Sequence, residues 1–275
     1  HHHLNWQLEG DYDLNTIWIT EKGIQEKQNL IWADLNILPK QGKAIGGHIV
    51  SISGDIPPGF QSSCNPNILA EITAGEFQRK FPFSTLIYLL WLHNIEIKND
   101  LLARLLVLHS DATWLKYQQY PENSKYWEKL LPDYNWNGLF NGVNTKRFER
   151  RIDEDLYPLF QSMQAVSGKS KLRSKHLNIC SKQFQFNPDW DEDVILTLIN
   201  LFGDTLGWTP PSIPSTLKSI NGNRKKVPLA LIKEIGISQF IKANRVFSYA
   251  IPSPRIFNFT SFGTVNKSPL EKKHG

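Results

Sequence analysis

The sequence predicts an α+β protein with a β-rich N-terminal portion, a helical middle, and a basic C-terminal module that resembles a helix-turn-helix followed by a hairpin. Strand-like runs cluster before residue 60, whereas leucine-rich runs with helical spacing fill the middle. A short helix pair and an alternating aromatic run end the chain. The length of 275 residues and the 40% share of apolar residues are enough for a packed core in one large or two small domains.

The N-terminal portion is expected to contain three strands. Residues 16–20 and 29–34 are rich in β-branched and aromatic side chains, and the polar residues 21–28 between them suit a hairpin loop. Residues 44–53 are expected to add a third strand. That strand should end at the turn formed by residues 54–59, whose two prolines are excluded from a central strand.

The middle of the chain is expected to be helical. Residues 83–109 should form two helices, with Asn99 and Asp100 as the N-cap region of the second. Residues 114–131 should form short helices around Pro121, and residues 135–142 are rich in turn-forming types.

Two further helices are expected before the C-terminal module. One should span residues 145–163 with an interruption near Pro158, and the other should begin in residues 187–193 and close at Gly203. A polar, basic segment at residues 167–175 separates them and should form an exposed loop.

Charge is distributed unevenly along the chain. The net charge is −4 over residues 1–144, +5 over 145–188, −5 over 189–212 and +9 over 213–275. A proline-rich stretch at residues 210–214 precedes the last segment, so we expect a body at residues 4–212 and a basic module at 213–275. An acidic body joined to a basic module is typical of proteins with a phosphate-bearing partner.

The C-terminal module begins with a pattern typical of a helix-turn-helix. Residues 229–235 should form one helix, Gly236 the turn, and residues 239–245 a second helix capped by Ser238. In that arrangement the second helix would place polar side chains against nucleic acid. The alternative is an ordinary packed helix pair, because Lys242 and Arg245 fall where apolar packing residues are expected.

The run after the helix pair has two interpretations. Its aromatic residues either stack on bases beside phosphate-binding cations, or form the core face of a sheet. Gln239 and Asn244 are candidates for base edges. The remaining candidates for nucleic-acid binding are cations, in the C-terminal module and in the 167–175 loop: Lys169, Lys171, Arg173, Lys175, Arg224, Lys225, Lys226, Lys242, Arg245 and Arg255.

A metal-dependent nuclease is the alternative function. Glu96 and Lys98 form the acid-x-Lys tripeptide that such enzymes place on a strand, and Asp55 could complete a Mg²⁺ site. However, the tripeptide lies in a segment predicted to be helical or at a helix end. A third possibility is a protein scaffold whose basic end binds an acidic partner.

Other classes lack their motifs in the sequence. There is no G-x-S-x-G, P-loop or G-x-G-x-x-G motif, and the two cysteines are too few for a disulfide framework. No apolar run reaches the roughly 18 residues of a membrane-spanning helix. The sequence therefore favours a soluble, cytoplasmic protein without a membrane partner. Its expected role is non-catalytic binding of DNA or RNA, with no cofactor, as a subunit of a larger nucleoprotein assembly with other protein subunits.

Overall fold

The computed structural model describes residues 6–12, 15–156, 158–159, 192–214 and 217–262. The chain divides into two compact units. We call residues His1–Leu8 and Pro82–Ile213 the helical unit, and residues Glu9–Phe81 and Pro214–Gly275 the sheet unit. Helices and strands are both abundant, and the predicted α+β class is confirmed.

The main sheet of the sheet unit is antiparallel and joins the two ends of the chain. Among the described residues its five strands lie in the order β1-β2-β6-β8-β7, and a separate three-stranded parallel sheet has the order β3-β4-β5. The strands are β1 (Gly10–Tyr12), β2 (Thr16–Ile19), β3 (Ile31–Ala33), β4 (Lys43–Ile45), β5 (Ser63–Cys64), β6 (Lys218–Pro228), β7 (Val246–Ser253) and β8 (Ile256–Phe262).

The hairpin predicted around residues 21–28 is wrong. These residues form helix α1 (Glu21–Gln25) and most of a short 3₁₀ turn (Lys27–Asn29), and β2 and β3 belong to different sheets. The physical reason is the cap at Thr20, whose hydroxyl accepts a hydrogen bond from the backbone N–H of Gly23 at 3.0 Å.

The third strand predicted at residues 44–53 is also shorter than expected. Only β4 is regular, and the strand pairing resumes as isolated bridges at Ile49 and Ser51. Two glycines, Gly46 and Gly47, follow β4 directly, and glycine weakens a strand because it provides no side chain to pack. The sheet unit continues with helix α2 (Pro66–Leu69) and a 3₁₀ segment (Ala74–Arg79).

The helical unit matches several of the predicted boundaries. Two helices are separated at Asp100, whose carboxylate accepts from the backbone N–H of Ala103 at 3.0 Å, and Pro121 begins a helix. The helices are α3 (Thr85–Leu92), α4 (Leu101–His109), α5 (Thr113–Gln119), α6 (Pro121–Leu130), α7 (Trp136–Phe140), α8 (Lys146–Arg151) and α9 (Glu192–Leu206). In the described parts of the chain, no helix has the length and apolar character needed to span a bilayer.

Two predictions in the helical unit need correction. Residues 136–140 form helix α7 instead of a turn, because the side chain of Asn135 caps the N–H of Gly138 at 2.9 Å. The helix predicted from residue 145 begins at Lys146 and continues as a π-helical turn at Ile152–Leu156, and the interruption predicted near Pro158 borders residues outside the described part of the chain. Helix α9 also runs through Gly203, where a side chain would lie 2.8 Å from the carbonyl oxygen of Trp208, and ends at Leu206.

Candidate nucleic-acid interface

Strand β6 lies inside the sheet and is nevertheless exposed on both faces. It has 11 residues, pairs with β2 on one side and with β8 on the other, and only Gly222 and Val227 are partly covered. An interior strand of an antiparallel sheet normally packs at least one face against the core. The exposed side chains of β6 are therefore available to a partner.

The register of β6 against β8 divides its cations between the two faces of the sheet. Arg224 lies opposite Thr260, Lys225 opposite Phe259, and Lys226 opposite Asn258. Because successive side chains of a strand point to opposite faces, Arg224 and Lys226 share one face and Lys225 occupies the other. We call these the cation-pair face and the helix-pair face.

The helix-pair face takes its name from helices α10 (Leu229–Ile235) and α11 (Ile237–Asn244), which connect β6 to β7. Phe240 of α11 packs edge-to-face on Phe257 and Phe259 of β8, with ring centroids 5.7 Å and 5.1 Å apart. Both β8 rings are on the same face as Lys225, since Phe259 lies directly opposite it.

The aromatic residues of the C-terminal run form core. Phe247, Tyr249, Phe257 and Phe259 are all buried, and Phe262 is half-buried against Phe247. This confirms the core interpretation, and the alternative of a base-stacking platform is wrong for the four buried rings. Burial also raises the pKa of Tyr249, whose hydroxyl donates to the carbonyl oxygen of Pro58 at 2.8 Å.

The three adjacent cations of β6 differ from the lysine that begins the strand. Lys218 forms an ion pair with Glu21, and the hydrogen bond from its ammonium group lowers the pKa of that carboxyl. Arg224, Lys225 and Lys226 form no ion pair with any residue that the structure describes. Their charges therefore remain uncompensated within the described part of the chain.

The helix pair is joined more tightly than predicted. Gly236 is the single residue between α10 and α11, with φ 87° and ψ 130°, and α11 begins at Ile237. The prediction that Ser238 caps this helix is wrong. The N-cap position is Gly236, which has no side chain to accept a hydrogen bond, and Ser238 is the second residue of the helix.

The predicted contact residues of the helix pair have different environments. Gln239, Lys242 and Arg245 are exposed, since Phe240 and Ile241 occupy the buried side of α11. Lys242 and Arg245 are therefore exposed at positions where a helix-turn-helix would carry apolar packing residues. The side-chain amide of Asn244 donates to the carbonyl oxygen of Phe240 at 3.0 Å, within its own helix.

The last two groups of predicted cations lie elsewhere. Arg255 is exposed in the turn between β7 and β8, and its carbonyl oxygen accepts from the N–H of Leu229 at 2.8 Å, just beyond the end of β6. The loop residues Lys169, Lys171, Arg173 and Lys175 lie outside the described residues.

The nuclease hypothesis requires the acid-x-Lys tripeptide to lie on a strand, but the structure places it in a loop. Glu96 and Lys98 are exposed in the loop between α3 and α4. The loop follows the end of α3, where the N–H of Ile95 bonds to the carbonyl oxygen of Leu90 at 2.8 Å. Asp55 belongs to the sheet unit and accepts from the hydroxyl of Ser53 at 2.9 Å. Within the described ranges, no group of three or more His, Cys, Asp or Glu side chains could hold a metal ion.

Two residues beside the cation pair were missed in the sequence. Asn258 and Thr260 lie opposite Lys226 and Arg224 and give this face polar neighbours. Their alternation with the buried rings of Phe257 and Phe259 was the available signal, because alternate residues of a strand share a face.

In the comparisons with known proteins, no family model, curated protein or solved structure matches the chain.

Proposed function

We propose that this protein binds nucleic acid without catalysis, as a subunit of a larger nucleoprotein assembly. The observation that carries the proposal is the run of three exposed cations on β6, which form no ion pair among the described residues. The same unit contains further exposed cations of the module, among them Lys242, Arg245 and Arg255.

Electrostatics explains why a phosphate-bearing polymer suits this surface. Arg224 and Lys226 lie two strand residues apart, or about 6.8 Å between Cα atoms, so their like charges repel each other. A polyanion removes that repulsion and releases its own condensed counterions. The net charge of +9 over residues 213–275 also attracts such a ligand from a distance.

Filter binding over a salt titration tests the proposal. Labelled DNA and RNA should be retained at low salt, and the logarithm of the binding constant should fall with the logarithm of salt concentration by about 0.9 for each phosphate contacted. Two to five contacts would give a slope between roughly −2 and −5. Absence of salt-sensitive retention for both nucleic acids would contradict the proposal.

Two simple measurements separate this proposal from the other functions considered. Nucleic acid incubated with the protein and Mg²⁺ or Mn²⁺ should stay intact, whereas a nuclease would degrade it. The protein purified at low salt should also show a high ratio of absorbance at 260 nm to that at 280 nm. A scaffold for an acidic protein partner would show no such excess.

A further inference from the structure

We infer that nucleic acid lies on the cation-pair face of β6 and that this surface contacts phosphates irrespective of base sequence. This inference rests on the proposed function. It adds which side of the sheet is used, and it assigns α11 a packing role in place of sequence recognition. Four features of the sheet unit support it.

Both charges of the cation-pair face are exposed, although the same face packs into the core at Ile17 of β2, which lies opposite Ile220, and at Phe262, which lies opposite Gly222. Ile220 and Ile256 belong to the same face, on β6 and on β8, and each keeps 37% of its surface exposed. Between them Arg224 and Lys226 are exposed, whereas Thr260 beside them is half-buried and Asn258 is buried. A polymer can therefore approach both cations at once, and the neighbouring side chains are polar.

The helix-pair face offers fewer cations for contact with phosphates. Lys225 is the one cation that β6 places there, and it lies opposite Phe259, on which Phe240 packs at 5.1 Å. Helix α11 thus covers the sheet directly beside Lys225. A stiff ligand laid across this face would meet the helix before its phosphates could follow the strand.

Apart from Gln239, which is exposed on α11, the groups predicted to read bases are occupied or buried. The side-chain amide of Asn244 is bonded within its own helix, and the aromatic rings of β7 and β8 at residues 247, 249, 257 and 259 are buried. Base stacking needs exposed rings, and base-edge recognition needs free hydrogen-bonding groups. The cation-pair face instead provides positive charge, which suits contact with phosphates.

The connection between the helices also differs from that of a DNA-reading pair. A helix-turn-helix has a turn of about three to four residues, and its second helix enters the major groove. Here the single residue Gly236 joins α10 to α11, and α11 presses Phe240 and Ile241 into the core. This arrangement suits a helix that covers a sheet.

The test compares two neighbouring lysines with identical chemistry on opposite faces. Fluorescence anisotropy with labelled 20-base-pair duplexes of two unrelated sequences should show that Lys226→Gln weakens binding by about three- to tenfold, with a salt slope shallower by about 1. Lys225→Gln should change affinity by less than about twofold, since it removes the same charge from the wrong face.

A pair of double variants extends the test to the helix. Arg224→Gln with Lys226→Gln should weaken binding by at least about tenfold, while Lys242→Gln with Arg245→Gln, which removes the same charge, should have a clearly smaller effect. All four side chains are exposed, so circular dichroism should show unchanged folding. Single-stranded DNA and duplex RNA as further ligands identify the source of the phosphates.

The outcomes separate the inference from the function on which it rests. If Lys225→Gln or the helix double variant weakens binding as much as its strand counterpart, the choice of face is wrong although the protein binds nucleic acid. If the two duplex sequences differ more than about tenfold in affinity, sequence-independent contact is wrong. If the unaltered protein binds no nucleic acid at all, the proposed function itself fails.

Discussion

At the scale of single residues, Gly236 sets the geometry of the helix pair. Its φ of 87° and ψ of 130° lie in a region that residues with a side chain rarely adopt. A side chain at this position would meet no atom within 4 Å, so space is not what requires glycine. The sequence pointed to a turn here, and the backbone conformation explains why glycine serves it.

Gly236→Ala should therefore destabilise the protein through backbone strain alone. We expect a loss of about 1–3 kcal/mol in the free energy of unfolding, measured by urea denaturation. Gly54→Ala is the matched control, because Gly54 also has no neighbour within 4 Å and does not adopt a positive φ. Equal stabilities of the two variants would show that position 236 imposes no special backbone requirement.

At the scale of elements, helix starts were the most predictable feature of the fold. Asp100 and Pro121 begin helices because a capping carboxylate and a missing N–H are local properties of the chain. The prediction that α9 ends at Gly203 was wrong for an equally physical reason. The glycine's lack of a side chain permits close packing of Trp208, and the helix instead ends at Leu206, followed by Gly207 with a φ of 68°.

The N-cap of α4 provides a prediction at this scale. Asp100→Ala removes the carboxylate that accepts from the N–H of Ala103, and should cost about 1 kcal/mol of stability. Asn99→Ala, at the exposed position just before it, should change stability by less than about 0.5 kcal/mol. Thermal unfolding of both variants measures the difference. A cap role is contradicted if Asn99→Ala is the more damaging change.

Strand β6 shows where prediction from local sequence fails. Its residues, Lys218–Pro228, contain few apolar side chains and no alternation of apolar and polar types. The strand conformation is instead imposed by ladder hydrogen bonding to β2 and β8 on its two sides. The cations that carry the proposed function could be listed from the sequence, but their distribution over two faces could not.

At the scale of the whole molecule, the sheet joins segments more than 200 residues apart. Thr16 of β2 lies opposite Asn221 of β6, and the hydroxyl of Thr16 donates to the side-chain oxygen of Asn221 at 3.2 Å. The sequence suggested a basic module at residues 213–275 beside a body at 4–212. In the structure, the described strands of that module share one sheet with β1 and β2.

Cysteine crosslinking tests this pairing. With Cys64 and Cys180 replaced by serine, Thr16→Cys combined with Asn221→Cys should form a disulfide, because directly opposed strand residues bring their Cβ atoms close to the span of that bond. Thr16→Cys with Ile220→Cys should not, since residue 220 points to the other face. Non-reducing electrophoresis with mass spectrometry distinguishes them. Equal crosslinking of both pairs would refute the register.

The sequence by itself determined the α+β class, several helix starts and the concentration of positive charge in the last quarter. Each of these depends on residues close together in the chain, through capping, periodicity or composition. Only the tertiary structure decided that β6 is an interior strand, and that Arg224 and Lys226 face one side while Lys225 faces α11. Strand register is set by partners distant in sequence, and a shift of one residue would exchange the two faces.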